Sequence, residues 1–455
     1  MANSLHTAQI EQQNTLQDFL QQMLTNLAQL IEQRIKAHFT DEAFTLDFEQ
    51  AYRFPQGHPM NQHLADGNFK LADYYLLALS LVPHLQPQFL DEAISSHLSG
   101  DGNFLEIGGQ RGKQFRGMIP TGETALFLLA GNDLSQRLRL QQYFHPDYWL
   151  NQKRVLWLGA VEEGEPALAA KLVLAPEYLD ILIQGFETPP RFSLQFPAQK
   201  VETALEWSDL VLNKTTLSQI RDLEVWVNHH QTLMRDWGMS RKLKPGYRVL
   251  FHGPPGTGKT LTASLLGKYT DKEVYKIDLS MVVSKFIGET EKNLSNLFAR
   301  AENKDWILFF DEADALFGKR TQVRDAHDKY ANQEVSYLLQ RVESYNGLVI
   351  LASNFKNNID EAFVRRFQSV IHFPLPAPDE RQKLWEAAFP PEVQLSPEVD
   401  FGNLAAKYEL SGAEIMNIMQ YCCLQCLENE QQFLQEATIL QGIRREYLKE
   451  GRIMR

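Results

Sequence analysis

The eight residues Gly253-Pro254-Pro255-Gly256-Thr257-Gly258-Lys259-Thr260 constrain this chain more than any other feature. They match the spacing GxxxxGK[ST]. A strand-forming run at 248–251 precedes them, and a helix-forming run at 259–268 follows. Strand, glycine-rich loop and helix together are the context in which this spacing builds a phosphate cradle. The glycines let successive backbone N–H groups point inward at phosphate oxygens. Lys259 supplies a positive charge at the β/γ-phosphates, the Thr260 hydroxyl suits Mg2+, and the helix N-terminus favours anions.

A second element completes the pair. Residues 306–310 are an apolar strand that ends in Asp311 and Glu312. Two carboxylates at the end of a buried strand are costly unless a cation uses them. Asp311 is therefore the candidate to hold Mg2+. Glu312 is the candidate general base that polarises an attacking water.

Around these motifs strands and helices alternate. Strands are expected at 248–251, 274–277, 306–310 and 348–351, with helices at 259–268, 289–302 and 330–344. Regular alternation argues for an α/β fold, a parallel sheet between helices. After Pro374, Pro376 and Pro378 the strand pattern stops, and residues 379–455 read as helices only. Pro189, Pro190 and Pro197 mark the best linker, because proline clusters cannot join a helix or a central strand. The expected division is an α+β region at 1–186, a linker at 187–206, an α/β domain at 207–376 and a small helical lid at 377–455.

The N-terminal region is less informative. Leu16, Leu20, Met23, Leu27, Leu30 and Ile35 recur at helical spacing and predict one amphipathic helix over 8–39. Its apolar face reads as a core face, with an oligomer contact as the alternative. A helix at 135–144, strands at 154–158 and 171–174, and a turn between them are compatible with part of a winged-helix module. Pro120-Thr121-Gly122-Glu123-Thr124 imitates the end of a phosphate loop. Glu123 stands where lysine should and would repel phosphate, so a hairpin turn is expected there. Arg111, Lys113 and Arg116 read as a solvated loop, with an acidic partner or nucleic acid as the alternative. Cys422, Cys423 and Cys426 contain a CxxC without a companion, which reads as a buried helix rather than a metal site. His252 reads as a packing residue, with a contact to nucleotide as the alternative.

Lys and Arg number 45 against 57 Asp and Glu, giving a net charge of −12. So acidic a chain gains little from non-specific attraction to phosphate backbones or anionic lipid, which disfavours nucleic-acid partners. Three cysteines in 455 residues cannot form a disulfide framework. The N-terminus lacks a basic segment followed by an apolar one, and no apolar stretch is long enough for a membrane span. A cytoplasmic protein is expected.

GPPGTGKT, then FFDEADALFGKR, then LASN resembles the AAA+ ATPases, and within them the AAA family proper. The resemblance covers about residues 207–450. It implies ATP and Mg2+ as cofactors, hydrolysis to ADP and phosphate, and a homo-hexameric ring. Asn354 fits the position of the polar residue that contacts the γ-phosphate and the lytic water. Arg365 and Arg366 resemble the arginine fingers that act on a neighbour's nucleotide, although the family's Pro-Gly insertion between two arginines is missing. Lys285-Phe286-Ile287-Gly288 resembles a pore loop, which makes Phe286, Ile287 and Gly288 the candidates for gripping a polypeptide. The segment Leu410-Ser411-Gly412-Ala413 looks like the family's lid segment, which carries Gly-Ala instead of a sensor arginine.

The strings at 305–320, 331–335 and 365–369, with 116–124 in support, are similar to a bacterial branch encoded with extracellular contractile injection systems. That similarity implies an ATPase assisting particle assembly or cargo loading. The leading expectation is an ATP-driven protein remodeller. A nucleic-acid motor or loader on the same core, and a nucleotide-switched scaffold, are the rival readings.

Overall fold

The computed structural model describes residues 2–40, 44–55, 57–63, 69–97, 105–186, 188–190, 192–193, 196–279, 289–313, 336–354, 364–428, 433–449 and 451–452. The chain forms two compact units, residues 1–190 and 191–455.

In the first unit one long helix, Ala2–Phe39, buries Leu16, Met23, Leu27, Leu30 and Ile35. It packs on the helices Leu71–Leu85 and Gly122–Ala130, so the apolar stripe is a core face. Arg34 is buried on it. Its guanidinium donates to the carbonyls of Leu128 and Leu129, the last turn of the helix Gly122–Ala130. A cation there satisfies carbonyls that have no intrahelical partner. Burial lowers the Arg34 pKa to about 10, which still leaves it charged at neutral pH.

The segment 120–124 is not a hairpin turn. Thr121 caps the helix Gly122–Ala130: its hydroxyl accepts from the Thr124 N–H at 3.3 Å, while the Thr124 hydroxyl accepts from the Thr121 N–H at 3.0 Å. The Thr-Gly-Glu-Thr string is a capping signal. Downstream, the helix Leu134–Gln141 precedes an antiparallel pair, Leu156–Leu158 with Leu172–Leu174, in the expected order. Arg111 pairs with Asp91, which also accepts from the Met118 N–H at 2.9 Å. Lys113 and Arg116 are exposed.

The second unit is built on a six-stranded sheet. Its strands are β1 (Ala198–Val201), β2 (Tyr247–His252), β3 (Val274–Ile277), β4 (Ile307–Phe310), β5 (Leu348–Ser353) and β6 (Ser369–His372). Their spatial order is β6-β2-β5-β4-β3-β1. All neighbours are parallel except β1, which pairs antiparallel with β3. The central strands are buried on both faces, which explains their continuous apolar runs. Helices α1 (Lys214–Gln231), α2 (Lys259–Thr270) and α3 (Glu289–Lys304) accompany the sheet. Helices α4 (Pro378–Ala388), α5 (Phe401–Lys407), α6 (Gly412–Glu428) and α7 (Glu436–Lys449) form the lid around Trp385, Ile415 and Ile439.

Two further expectations need correction. The stretch 187–206 is not all linker, because Phe196 lies in the core and Ala198–Val201 is the edge strand β1. Its three prolines precede the strand and hide it. Nor is 379–455 purely helical, since Gln394–Leu395 and Phe433–Leu434 form a short parallel pair.

Candidate active site: a phosphate loop facing a helical lid

The loop between β2 and α2 takes its shape from three glycines at positive φ: Gly253 (150°), Gly256 (75°) and Gly258 (94°). A Cβ on Gly253 would lie 1.9 Å from the Phe373 carbonyl oxygen. Only glycine lets β2 turn that close to the strand beside it. The Gly253 N–H donates to Ser353 O at 3.2 Å, anchoring the loop to the end of β5. The Thr257 hydroxyl donates to Pro254 O at 2.8 Å and closes the loop on itself.

Lys259 opens α2 and is only 7% exposed. Its ammonium donates to Gly253 O at 2.7 Å, Pro254 O at 2.9 Å and Asn354 Oδ1 at 3.2 Å. The last bond matters chemically. Asn354 follows β5 directly, and the parallel register of β2 with β5 brings it to the mouth of the loop. Lysine and asparagine, 95 positions apart, thus address one point.

Asp311 and Glu312 follow β4, which lies next to β5. The Glu312 N–H donates to Asp311 Oδ1 at 3.0 Å. Glu312 holds φ at 51°, a left-handed conformation that costs a non-glycine residue on the order of 1 kcal/mol or more. The Ala313 N–H then donates to Ala352 O at 2.8 Å, which locks the turn. The outer oxygen of Asp311, Oδ2, accepts from Lys276 Nζ at 2.6 Å.

These side chains share one cavity of about 550 Å³, lined by Thr260, Asp311, Glu312 and Asn354 on one wall. Leu210 and Leu212 from the segment before α1, and Ala413 and Met416 from the lid, supply an apolar wall. The size and mixed lining suit a nucleotide. The donors also fit a triphosphate with a divalent cation. The N–H groups of Lys259, Thr260 and Leu261 begin a helix and have no intrahelical acceptor. The glycine cradle leaves no Cβ in the way, Lys259 is a buried cation, and Thr260 with Asp311 provides the oxygens Mg2+ prefers. Among the described residues no cluster of three or more His, Cys, Asp or Glu could hold a metal ion, Cys422–Cys426 included.

The arginines of the β6 approach differ from each other. Arg366 pairs with Glu343 of the same chain. Arg365 is exposed and makes no ion pair or hydrogen bond among the described residues. Gln368 ties their segment to β2: its N–H donates to Arg248 O at 2.9 Å and its side chain accepts from the Arg248 N–H at 2.8 Å. Phe286, Ile287 and Gly288 lie outside the described residues. His252 stacks on His372 across the β2–β6 pair, with ring centres 4.7 Å apart.

Sequence reasoning missed Arg248. Its buried side chain donates to Val342 O, Glu343 O and Tyr345 O, closing the end of the helical stretch 336–344. An arginine inside an apolar strand was the available signal, since a buried charge must be satisfied.

A parallel sheet that carries a phosphate loop, a paired-acid strand and a polar residue on the strand between them defines a nucleoside-triphosphate-binding α/β domain. Residues 249–375 match the family described as ATPase family associated with various cellular activities (AAA), so the chain carries an AAA domain. The chain is 36% identical over 184 residues to proteasome-activating nucleotidase 2 of Halobacterium salinarum, covering 39% of this chain and 44% of that protein. It is 34% identical over 207 residues to the 26S proteasome regulatory subunit 6B homolog of Dictyostelium discoideum, covering 44% and 50%. It is also 34% identical over 189 residues to vacuolar protein sorting-associated protein 4B of Pongo abelii, covering 40% and 43%. The chain thus spans about half the length, or less, of the curated relatives it matches. None of the described helices is long and apolar enough to cross a membrane.

Proposed function

We propose that the protein is an ATP-hydrolysing motor that remodels polypeptides as a homo-hexameric ring in the cytoplasm. The observation that carries this reading is the Lys259–Asn354 hydrogen bond inside a cavity shared with Thr260, Asp311 and Glu312. The loop amides and Lys259 bind the β- and γ-phosphates. Thr260 and Asp311 would hold Mg2+, which would supply charge neutralisation for the transferring group. Glu312 takes the proton of the attacking water, and Asn354 orients that water against the phosphate. The water oxygen bonds to the γ-phosphorus as the bond to the leaving ADP oxygen breaks.

Of the two arginines, Arg365 is the finger offered to a neighbour's γ-phosphate, and Arg366 is the anchor that holds its segment to Glu343. Phe286, with Ile287 and Gly288, grips an extended chain in the pore through apolar contact. Relatives named for proteasome activation and for vacuolar protein sorting favour a protein substrate, as does the net charge of −12. Service to a contractile injection system is the finer reading that the strings at 305–320 and 365–369 suggest. The deciding experiment measures ATP turnover with an unfolded protein and with DNA. Stimulation by the protein alone supports the remodeller. Stimulation by DNA alone moves the assignment to a nucleic-acid motor, and binding without turnover to a nucleotide-switched scaffold.

A further inference from the structure

The second oxygen of Asp311 already has a cation. Lys276 sits on β3 opposite Phe309 of β4, so Asp311 lies one pleat further along the same face. Its stem runs up that face, and its ammonium reaches Asp311 Oδ2 at 2.6 Å. Oδ1 is fixed by the Glu312 N–H. A divalent cation approaching this carboxylate therefore meets one oxygen held by a rigid backbone donor and one held by a mobile side chain. The Lys276 side chain is 43% exposed, so its ammonium can swing into water at little cost, whereas the Glu312 amide cannot leave.

We infer that Lys276 competes with Mg2+ for Asp311 and so sets the magnesium concentration at which the site retains nucleotide. The inference rests on the proposed nucleotide and Mg2+ site. Lys276 is a positioning residue: it touches the carboxylate and does not line the cavity. With the ammonium on Asp311, the acid is held in place and its charge is balanced without metal. Entry of Mg2+ exchanges one cation for another on the same oxygen.

The test is equilibrium binding of a fluorescent ADP across a Mg2+ titration at fixed ionic strength, with an EDTA-treated sample as the metal-free point. Wild type is compared with Lys276→Met, Lys276→Arg and Lys272→Met. Lys276→Met keeps the stem and removes the charge. Its half-saturating Mg2+ concentration should fall about twofold to fivefold, the range of a partly exposed ion pair. Its affinity for the ADP in EDTA should equal wild type. Lys276→Arg should restore the wild-type midpoint. Lys272 pairs with Asp305 at 2.5 Å, away from the loop, so Lys272→Met should leave the midpoint in place while changing net charge equally. An unchanged or higher midpoint in Lys276→Met overturns the inference. So does an equal fall in Lys272→Met, because a diffuse field would then explain the effect. Loss of affinity in EDTA assigns Lys276 to the phosphates and overturns it too. If wild type binds the ADP without any Mg2+ dependence, it is the metal site that fails. A melting curve for each protein identifies variants whose change is only loss of fold, and Lys276→Arg then carries the comparison.

Discussion

The N–H of Ala413, in the first turn of α6, donates to the carbonyl of Gly256 in the phosphate loop at 3.3 Å. The lid thus rests on the loop through backbone, and the space between them is small. A Cβ on Gly256 would lie 2.7 Å from Ser411 Oγ and 2.8 Å from Ala413 Cβ, and Gly256 also holds φ at 75°. Gly256→Ala should weaken nucleotide binding about tenfold, since a left-handed alanine alone costs roughly 1–2 kcal/mol. Gly412→Ala is the comparison. Its Cβ would meet Gly256 O at 3.4 Å, an ordinary contact, so nucleotide affinity should stay within twofold. Equal losses in both variants would remove the argument from loop shape.

Glu312→Gln should keep nucleotide affinity and lower turnover at least a hundredfold, because an amide cannot accept the water's proton. Lys259→Ala should weaken binding itself. It also strips the ammonium from Gly253 O, Pro254 O and Asn354 Oδ1, so a fall in melting temperature should accompany it. Nucleotide titration and single-turnover hydrolysis on the same preparations separate the two roles.

Arg365→Ala should abolish turnover while leaving the melting temperature unchanged. Arg366→Ala and Glu343→Gln should each cost stability, and their effects should not add, because each removes the same pair. Mixing Arg365→Ala with Glu312→Gln subunits should restore part of the activity, since some interfaces then join an intact finger to an intact base. Full turnover by Arg365→Ala as a proven monomer would end the trans assignment.

The site's local chemistry was legible because it is written in short strings. The spacing from Gly253 to Thr260 and the acid pair after 306–310 need no tertiary information, and the loop and strand ends lie where those strings placed them. Asn354 was legible only by analogy, since its bond to Lys259 spans 95 positions. Lys276 and Glu343 were invisible for the same reason, and Arg248 showed only as a charge inside an apolar strand, with no sign of its partners. Each acts through a partner 23 to 97 positions away, and nothing in Val-Tyr-Lys-Ile marks the lysine as Asp311's neighbour. The edge strand β1 was hidden by nearby prolines. The cap at Thr121 was misread because Thr-Gly-Glu-Thr starts a helix as readily as it closes a turn.

The first unit should show two opposed pH effects. Asp73 is fully buried, and burial pushes its pKa from 3.8 up to about 6, against hydrogen bonds from the Lys70 N–H and the Tyr148 hydroxyl. A raised carboxyl pKa means the folded state binds the proton better, so Asp73 adds stability as pH falls through 6 and withdraws it as pH rises. His58, stacked on Phe54, is pushed by burial from 6.5 down to about 4. The folded state resists its protonation, so it removes stability between pH 6.5 and 4. Burial lowers His84 as well, in the same sense as His58. Asp73 offsets only part of what the two histidines remove, so wild type should show a modest net loss of stability from pH 7 to 5. Asp73→Asn should lose about 1–2 kcal/mol over that range, and His58→Phe should gain a similar amount. Amide exchange across residues 74–82 reads this unit alone. Parallel pH profiles in both variants would refute the opposition.

Phe286 separates threading from every other use of the ATPase. If the aromatic transmits force to a polypeptide, it takes no part in phosphate chemistry. Phe286→Ala should then leave basal ATP hydrolysis within a few-fold while abolishing unfolding of a loosely folded test protein. A packing role leads elsewhere. An enclosed phenylalanine cut back to alanine costs roughly 3–5 kcal/mol, so melting temperature and hydrolysis would fall together. Thermal stability, basal ATPase and unfolding rate should be measured on one preparation, with Phe286→Tyr beside it. The tyrosine keeps an aromatic face and should retain most of the unfolding activity. Destabilisation with parallel loss of ATPase would retire the pore assignment. A stable, hydrolysing Phe286→Ala that unfolds its substrate at the wild-type rate would retire threading, and the nucleic-acid and scaffold readings would then carry the weight.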